Sequence, residues 1–393
     1  MNVRLATIGD FVEPVATWNP ATKPADTFSY VDLSAVDQTD KNIISSASVR
    51  GSEAPSRARQ LIKYGDILVS TVRPNLNGVA AVTEEFNGAT ASTGFCVLRP
   101  RSEKLSSRYL FHWVRSPQFV DAMVRQATGA SYPAISDRIV KASPILLLPL
   151  DEQRRIAAIL DKADELRRKR KSMLELIDEL SAGLFRKTFV EGDKGSWPST
   201  TVAEVALNVR TGPFGSQLLH SEFVDTGIAV LGIDNAVENE FRWAQRRFIS
   251  EKKYAELNRY TVLPGDVIIT IMGTCGRCAV VPEDIPTAIN TKHLCCITLD
   301  RTKCLPEFLK AVFLQHPVVL KQLGIQAKGA VMPGLNMGII KSLSFPLPPL
   351  DAQAAFAQSI SALEDARTRL RKASTELELL FSSLQHRAFS GQL

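Results

Sequence analysis

The residues most able to do chemistry in this chain are its cysteines. Cys275 and Cys278, in Thr-Cys-Gly-Arg-Cys, followed by the adjacent pair Cys295-Cys296, invite a zinc reading, because thiolates at short spacing build tetrahedral ligand sets. The adjacent pair lacks the two-residue spacer of a zinc knuckle, and in a strand its two side chains point to opposite faces. Free thiols and no metal are therefore expected. The five histidines do not cluster. Neither His-Glu-x-x-His nor Gly-x-Ser-x-Gly occurs. There is no Gly-x-x-x-x-Gly-Lys-Ser/Thr phosphate loop, and no glycine-rich turn follows a strand as a dinucleotide or S-adenosylmethionine site requires. The prolines of FPLPPL (345–350) lack the Asn or Asp that an Asn-Pro-Pro-Tyr-type element places against an extrahelical adenine. No catalytic residue is assigned, and no cofactor is expected on this chain.

The elements that could position other chemistry are more informative. At 393 residues, 45% hydrophobic and 22% charged, the chain can build two or three domains with ordinary cores. The longest apolar run, PILLLPL (144–150), is too short to span a bilayer, and the first residues, MNVRLATIGDF, lack a signal-peptide pattern. With five of the six cysteines clustered in the second half, these features predict a reducing cytoplasm and no membrane. A net charge of +6 and a pI near 9.0 favour a polyanionic partner without proving one.

The strongest feature is an internal repeat. Shifted by two hundred residues, Gly65-Asp66 falls on Gly265-Asp266, Pro117 on Pro317, Gly129-Ala130 on Gly329-Ala330, and Pro133 on Pro333. Pro149-Leu150-Asp151 and Gln153 fall on Pro349-Leu350-Asp351 and Gln353, and Phe189 on Phe389. The matches are mostly Gly, Pro and Asp, so the repeat is one of backbone. Each half then predicts three strands: YGDILVST, GVAAV and GFCVLRP in the first, PGDVIITI, CAVVP and LCCITLD in the second. Helices follow, one capped by Ser116 with Pro117 at its first position and mirrored by HPVVLKQLGIQA.

After each Leu-Asp-x-Gln comes a long helix. Ile156, Ile159, Ala163, Leu166, Met173, Ile177, Leu180 and Leu184 keep a three-four spacing interrupted by Arg170; Phe356, Leu363, Ala366, Leu370, Ala373, Leu377, Leu380 and Leu384 keep it in the second, interrupted by Ser359. Such a period predicts coiled-coil packing of the two helices, each roughly 55 to 60 Å long, with packing of each helix on its own domain as the alternative. The predicted organisation is a globular domain over 1–150, a helix over 151–190, a linker over 191–199, a second globular domain over 200–350 and a final helix over 351–393. The short linker predicts antiparallel helices and a pseudo-twofold relation.

These pieces resemble the specificity subunit of type I restriction-modification systems. The resemblance covers essentially the whole chain and is carried by PLDEQRRIAAIL and PLPPLDAQAAFA, by FSYVDLSAVD and ARQLIKYGDILVSTVRPN, and by VRTGPFGSQLL, GIAVLGIDNA and YTVLPGDVIIT. It implies an α+β fold in which two target-recognition domains are separated by two antiparallel coiled-coil helices. It also implies a non-catalytic protein that reads a split, asymmetric sequence in double-stranded DNA. Two methyltransferase subunits and restriction/translocase subunits would be its partners, and S-adenosylmethionine, ATP and magnesium would belong to them. The helices would fix an unread spacer between half-sites.

On that logic, phosphate contacts give affinity and base-edge contacts give discrimination. The DNA-contact candidates are Arg57, Arg59, Arg73, Asn75, Ser92 and Thr93 in the first domain. In the second they are Arg210, Ser216, Gln217, Arg277, Lys292, His293 and Lys328. The Gly212–Gly215 loop could bring backbone N–H groups to a phosphate. Asp151, Gln153, Arg170, Asp351 and Gln353 are the subunit-interface candidates, Arg170 standing in the basic run Arg167–Lys171. A self-contained nuclease-methylase and a coiled-coil scaffold without DNA readout are the competing readings.

Overall fold

The computed structural model describes residues 4–192, 195–243, 246–325 and 334–393. It divides into two compact units, Met1–Ser172 with Arg371–Leu393, and Met173–Leu370. Each unit therefore combines a globular domain with the near parts of two long helices, the central helix Leu150–Phe185 and the C-terminal helix Leu350–Phe389.

All six predicted strands are present. In the first unit Phe95–Pro100 pairs antiparallel with Ile67–Ser70, which pairs with Val79–Ala81. In the second, Leu294–Leu299 pairs with Val267–Thr270 and that with Cys278–Val280. Their apolar side chains alternate between two cores, which is why both faces of these strands are buried. Cys295 and Ile297 enter one core and Leu294 and Cys296 the other, so the adjacent cysteines do point to opposite faces. Burial pushes the Cys295 thiol up to about 12.

Sequence patterning missed a second sheet in each unit. Thr27–Val31 and Thr90–Ser92 form a parallel pair in the first, flanked by Ala47–Arg50 and Ala58–Leu61. Ile228–Leu231 and Ala288–Asn290 form the parallel pair in the second. Helix entry is as expected: Ser116 Oγ accepts from the Phe119 N–H, and His316 Nδ1 accepts from Val318, each ahead of a proline.

The Gly-Asp signpost has a structural reason. Asp66 accepts from the Lys63 N–H at 2.8 Å and from both Arg99 Nε and Nη2. Asp266 accepts from the Leu263 N–H at 2.8 Å and from Arg210 Nη2 at 2.6 Å. The two arginines come from different strands yet each also donates to a main-chain carbonyl, Leu61 and Thr261, two hundred residues apart.

The long helices run antiparallel within each unit. In the first, Arg155 reaches the Leu393 carbonyl and Arg167 pairs with Glu378; in the second, Arg367 pairs with Asp178 and Phe185 meets Phe356 edge to face. The predicted leucine seam needs correction. Leu166, Met173 and Leu180 of the central helix, and Leu380 of the C-terminal helix, are exposed. Of the other predicted positions, Ile156 and Ala163 are buried, with Ala157 and Leu160, in one core shared with the first globular domain, Phe381 and Ala388, and Ile177 and Phe356 are buried in the second unit. The helices thus pack both on a domain and on each other, with ion pairs toward the middle. Among the described residues no helix is long and apolar enough to cross a membrane.

Candidate nucleic-acid interface

In the first unit four segments meet at one end of the sheets. The Thr71 N–H donates to the Gly94 carbonyl at 2.9 Å, the Arg73 N–H to Pro133 at 2.7 Å, and the Thr93 N–H to Arg57 at 2.8 Å. Arg57, Arg73, Asn75 and Thr93 are exposed there, and Arg59 is half-buried beside them. Ser92 is not a surface group: it is buried, its carbonyl accepts from Gln60 Nε2, and its hydroxyl accepts from the Gly94 N–H at 3.2 Å to close the turn. Tyr132, which sequence reasoning missed, is exposed and has the Arg73 guanidinium 4.6 Å from its ring centroid. Its available signal was an aromatic immediately before the repeat's Pro133.

The corresponding end of the second unit is built from the same places. The Ile271 N–H donates to the His293 carbonyl at 2.9 Å, and Arg277 and Thr270 exchange bonds at 2.8 Å, which joins the 271–277 and 291–293 segments. Gly212 lies against them: a Cβ there would sit 2.0 Å from the Asn290 carbonyl oxygen, so backbone packing demands this glycine. Ser216, Gln217 and Arg277 are exposed, Lys292 and His293 half-buried. Gln217 Oε1 accepts from Tyr260 Oη at 2.9 Å. Burial, with Lys292 and Arg247 nearby, lowers the His293 pKa and favours its neutral form. Arg247, paired with Asp234, is a second residue sequence reasoning missed. Lys328 lies outside the described residues.

Arg210 must be reassigned. It is buried, and its guanidinium is committed to Asp266, Thr298 and the Thr261 carbonyl, so it holds the sheet and presents nothing to a groove. The same holds for the two repeated glutamines. Gln153 is fully buried: Oε1 accepts from the Ser106 N–H at 2.9 Å, and Nε2 donates to the Lys104 and Leu148 carbonyls at 3.0 and 2.8 Å. Gln353 does the same with Leu305 at 2.9 Å, Lys303 at 3.0 Å and Pro348 at 2.9 Å. A buried amide with three bonds inside the chain cannot serve a subunit interface. Its task is to lock a loop to the start of a helix. Asp151 and Asp351 are exposed in the first turns of those helices, where a carboxylate offsets the positive end of the helix dipole. Arg170 is half-buried. Its basic neighbours are paired, Arg167 with Glu378, Lys169 with Glu165 and Lys171 with Asp40.

The repeat of a whole unit finds its counterpart among known proteins. The model of the type I restriction modification DNA specificity domain matches residues 31–176 and again 226–379. The chain belongs to this family. It is a type I restriction-modification specificity subunit. It is 20% identical over 313 residues to the specificity subunit of the MjaVIII type I restriction enzyme of Methanocaldococcus jannaschii, covering 75% of this chain and 72% of that one. To the EcoBI specificity subunit of Escherichia coli it is 22% identical over 326 residues, 76% of this chain and 68% of that one. Among solved structures, the type I restriction-modification S subunit from M. genitalium shares the fold with a TM-score of 0.62 at 14% identity, over 99% of this chain and 96% of that one. A chain from a structure concerned with assembly and conformational transition of a type I system also has a TM-score of 0.62, at 24% identity, over 100% of this chain and 98% of that one.

Proposed function

We propose that this specificity subunit reads a two-part, asymmetric double-stranded DNA sequence, one part with each globular domain, and that it catalyses nothing itself. The observation that carries the reading is a scaffold shared by the two units set against rims that differ. The Gln153 and Gln353 locks are bond for bond alike, whereas the surrounding rim offers Arg57, Arg73, Asn75 and Thr93 in one unit and Ser216, Gln217, Arg277, Lys292 and His293 in the other. Two like frames with unlike polar rims read two unlike sequences, because discrimination comes from side chains at base edges. Selecting duplexes from a random pool tests this directly: two separated words should emerge. One contiguous word, or none, overturns it. Lengthening both helices by matched turns should lengthen the unread spacer and leave the words alone.

The remaining chemistry belongs to partners in this reading. Methyl transfer, translocation and cleavage, with S-adenosylmethionine, ATP and magnesium, reside on methyltransferase and restriction subunits in the cytoplasm. Met173, Leu176 and Leu180 lie on one face of the central helix and are exposed, which supports docking of a methyltransferase subunit there. Leu176→Glu with Leu180→Glu should abolish co-purification of that subunit and leave duplex selection by the chain intact.

A further inference from the structure

Arg73 occupies a left-handed backbone conformation, φ 49° and ψ 63°, that disfavours any residue with a Cβ. Two hundred residues on, the same position of the repeat is Gly273, with φ 68°. The backbone thus needs a left-handed turn in both units, and the second unit meets the need with the residue that tolerates it freely. The first unit keeps an arginine there at a steric cost, and strain of this kind persists where the side chain has work to do.

The guanidinium's surroundings fit that work. Among the described residues Arg73 forms no salt bridge, in contrast to the arginines that hold this unit together, Arg99, Arg108, Arg115 and Arg167. Its guanidinium lies over the ring of exposed Tyr132, 4.6 Å from the centroid. That contact holds a planar cation without using its N–H donors in hydrogen bonds. The loop beneath is fixed at both ends. The Arg73 N–H bonds to Pro133, and at the far end of the Pro74–Leu76 turn left-handed Asn77 donates Nδ2 to the Arg115 carbonyl at 3.3 Å while its own carbonyl accepts from Lys41 Nζ.

We propose that Arg73, aimed by Tyr132, reads a guanine of the half-site bound by the first unit, its fork donating to O6 and N7 in the major groove. This inference rests on the DNA-reading function proposed above. A fork of donors in a fixed plane suits the paired acceptors of guanine and no other major-groove edge.

The test uses the full-length chain, in the complex in which it is purified, and binding to every single-base variant of its selected target. Arg73→Gly should lower preference at one G·C pair by about tenfold or more, the loss of one bidentate contact. Its thermal midpoint should hold or rise, because glycine relieves the left-handed turn. Arg73→Lys should keep the charge but retain only part of that preference, since an ammonium reaches the same acceptors without the planar fork. Tyr132→Ala should weaken it at that same position, and Tyr132→Phe should retain it. An unchanged profile for Arg73→Gly overturns the proposal. Uniform loss across all variants with rescue by lysine makes Arg73 a phosphate contact and also overturns it, and a drop in thermal midpoint shows a structural role instead. If the unaltered chain selects no two-part target, it is the underlying function that fails, a result distinct from these.

Discussion

The two units hold their helices with different chemistry on the same backbone. In the first, the helix Ser107–Val114 meets the central helix through charge: Arg108 and His112 both bond Asp161, and Arg115, 7% exposed, pairs with Asp164, 8% exposed. Arg167 then links Asp164 to Glu378 of the C-terminal helix and lies over the Phe381 ring. In the second unit the join relies mainly on rings, of the kind that Phe389 also sets against Tyr109 and Trp113 in the first. Phe189 contacts Phe185, Trp197, Phe308 and Phe356, with Lys310–Glu364 as a peripheral ion pair. Two hundred residues separate Arg108 from Phe308 and His112 from Val312. The frame therefore specifies where helix meets domain and leaves open what joins them. Apolar contact tolerates salt and acid, whereas the ionic join depends on Asp161, Asp164 and their arginines staying charged and on His112 staying neutral.

The comparison can be broken most violently at the C-terminus. Removing 381–393 strips Phe381, Ala388 and Phe389 from the core of the first unit, including the Phe389 ring that meets both Tyr109 and Trp113. A loss beyond about 5 kcal/mol is expected, since a single buried Phe→Ala already costs about 3–5 kcal/mol. Hydrogen exchange should report deprotection of the first globular domain, far away in sequence, with protection retained in the second. Protection lost equally in both would show that the units fold as one.

Next in size, Asp164→Asn leaves buried Arg115 without its carboxylate and should cost about 3–5 kcal/mol in the first unit. Thermal denaturation followed by domain-resolved exchange measures it. A cost under 1 kcal/mol would mean the ionic join is ornamental and the helix is held by Ile156 and Leu160 alone.

Where the units agree, substitution should agree as well. Gln153→Ala and Gln353→Ala each orphan two carbonyls and one N–H and should cost about 2–4 kcal/mol, equal to within experimental error. Unequal losses would refute the equivalence of the two locks.

The smallest effect is in pH. Burial lowers the His112 pKa despite its 2.7 Å bond from Nε2 to Asp161, and Nδ1 has no partner among the described residues. The folded pKa lies below the unfolded value near 6.5, so the unfolded chain binds the extra proton first. Stability is full above about pH 6.5 and falls as pH drops below it. For Asp161, burial raises the pKa but the bonds from His112 and Arg108 outweigh it, holding the carboxyl below its usual range. Its contribution is present above about pH 4 and is lost in stronger acid. His112→Gln should flatten the slope of first-unit stability between pH 5 and 7, read by denaturant titration at each pH. An unaltered slope would place the titration elsewhere.

Much of the frame was legible from residue types alone. Gly65-Asp66, Pro117 and Leu150-Asp151-x-Gln153 recur because turns, helix starts and buried caps have local stereochemical demands that few residue types meet. Their exact offset is what exposed the repeat, the six strands and the family. The rim was legible in part: Arg73, Asn75, Thr93 and Arg277 do sit on exposed loops at the ends of strands.

What the sequence determined by itself is thus whatever depends on neighbours within a few residues: turns, caps, strand alternation and the existence of two like halves. Tertiary structure alone decided which polar groups were free. Arg210 and Arg73 are both arginines near strand ends, yet one is spent on Asp266 and the other stands over Tyr132, because their partners arrive from residues some sixty positions away. Gln153 reads as a surface residue until Lys104 and Ser106 close around it. The helices repeat the lesson. A three-four spacing establishes an apolar stripe, but Leu166 and Met173 face outward while Arg167 faces Glu378. Which stripe is covered depends on what the rest of the chain packs against it, and no local pattern carries that information.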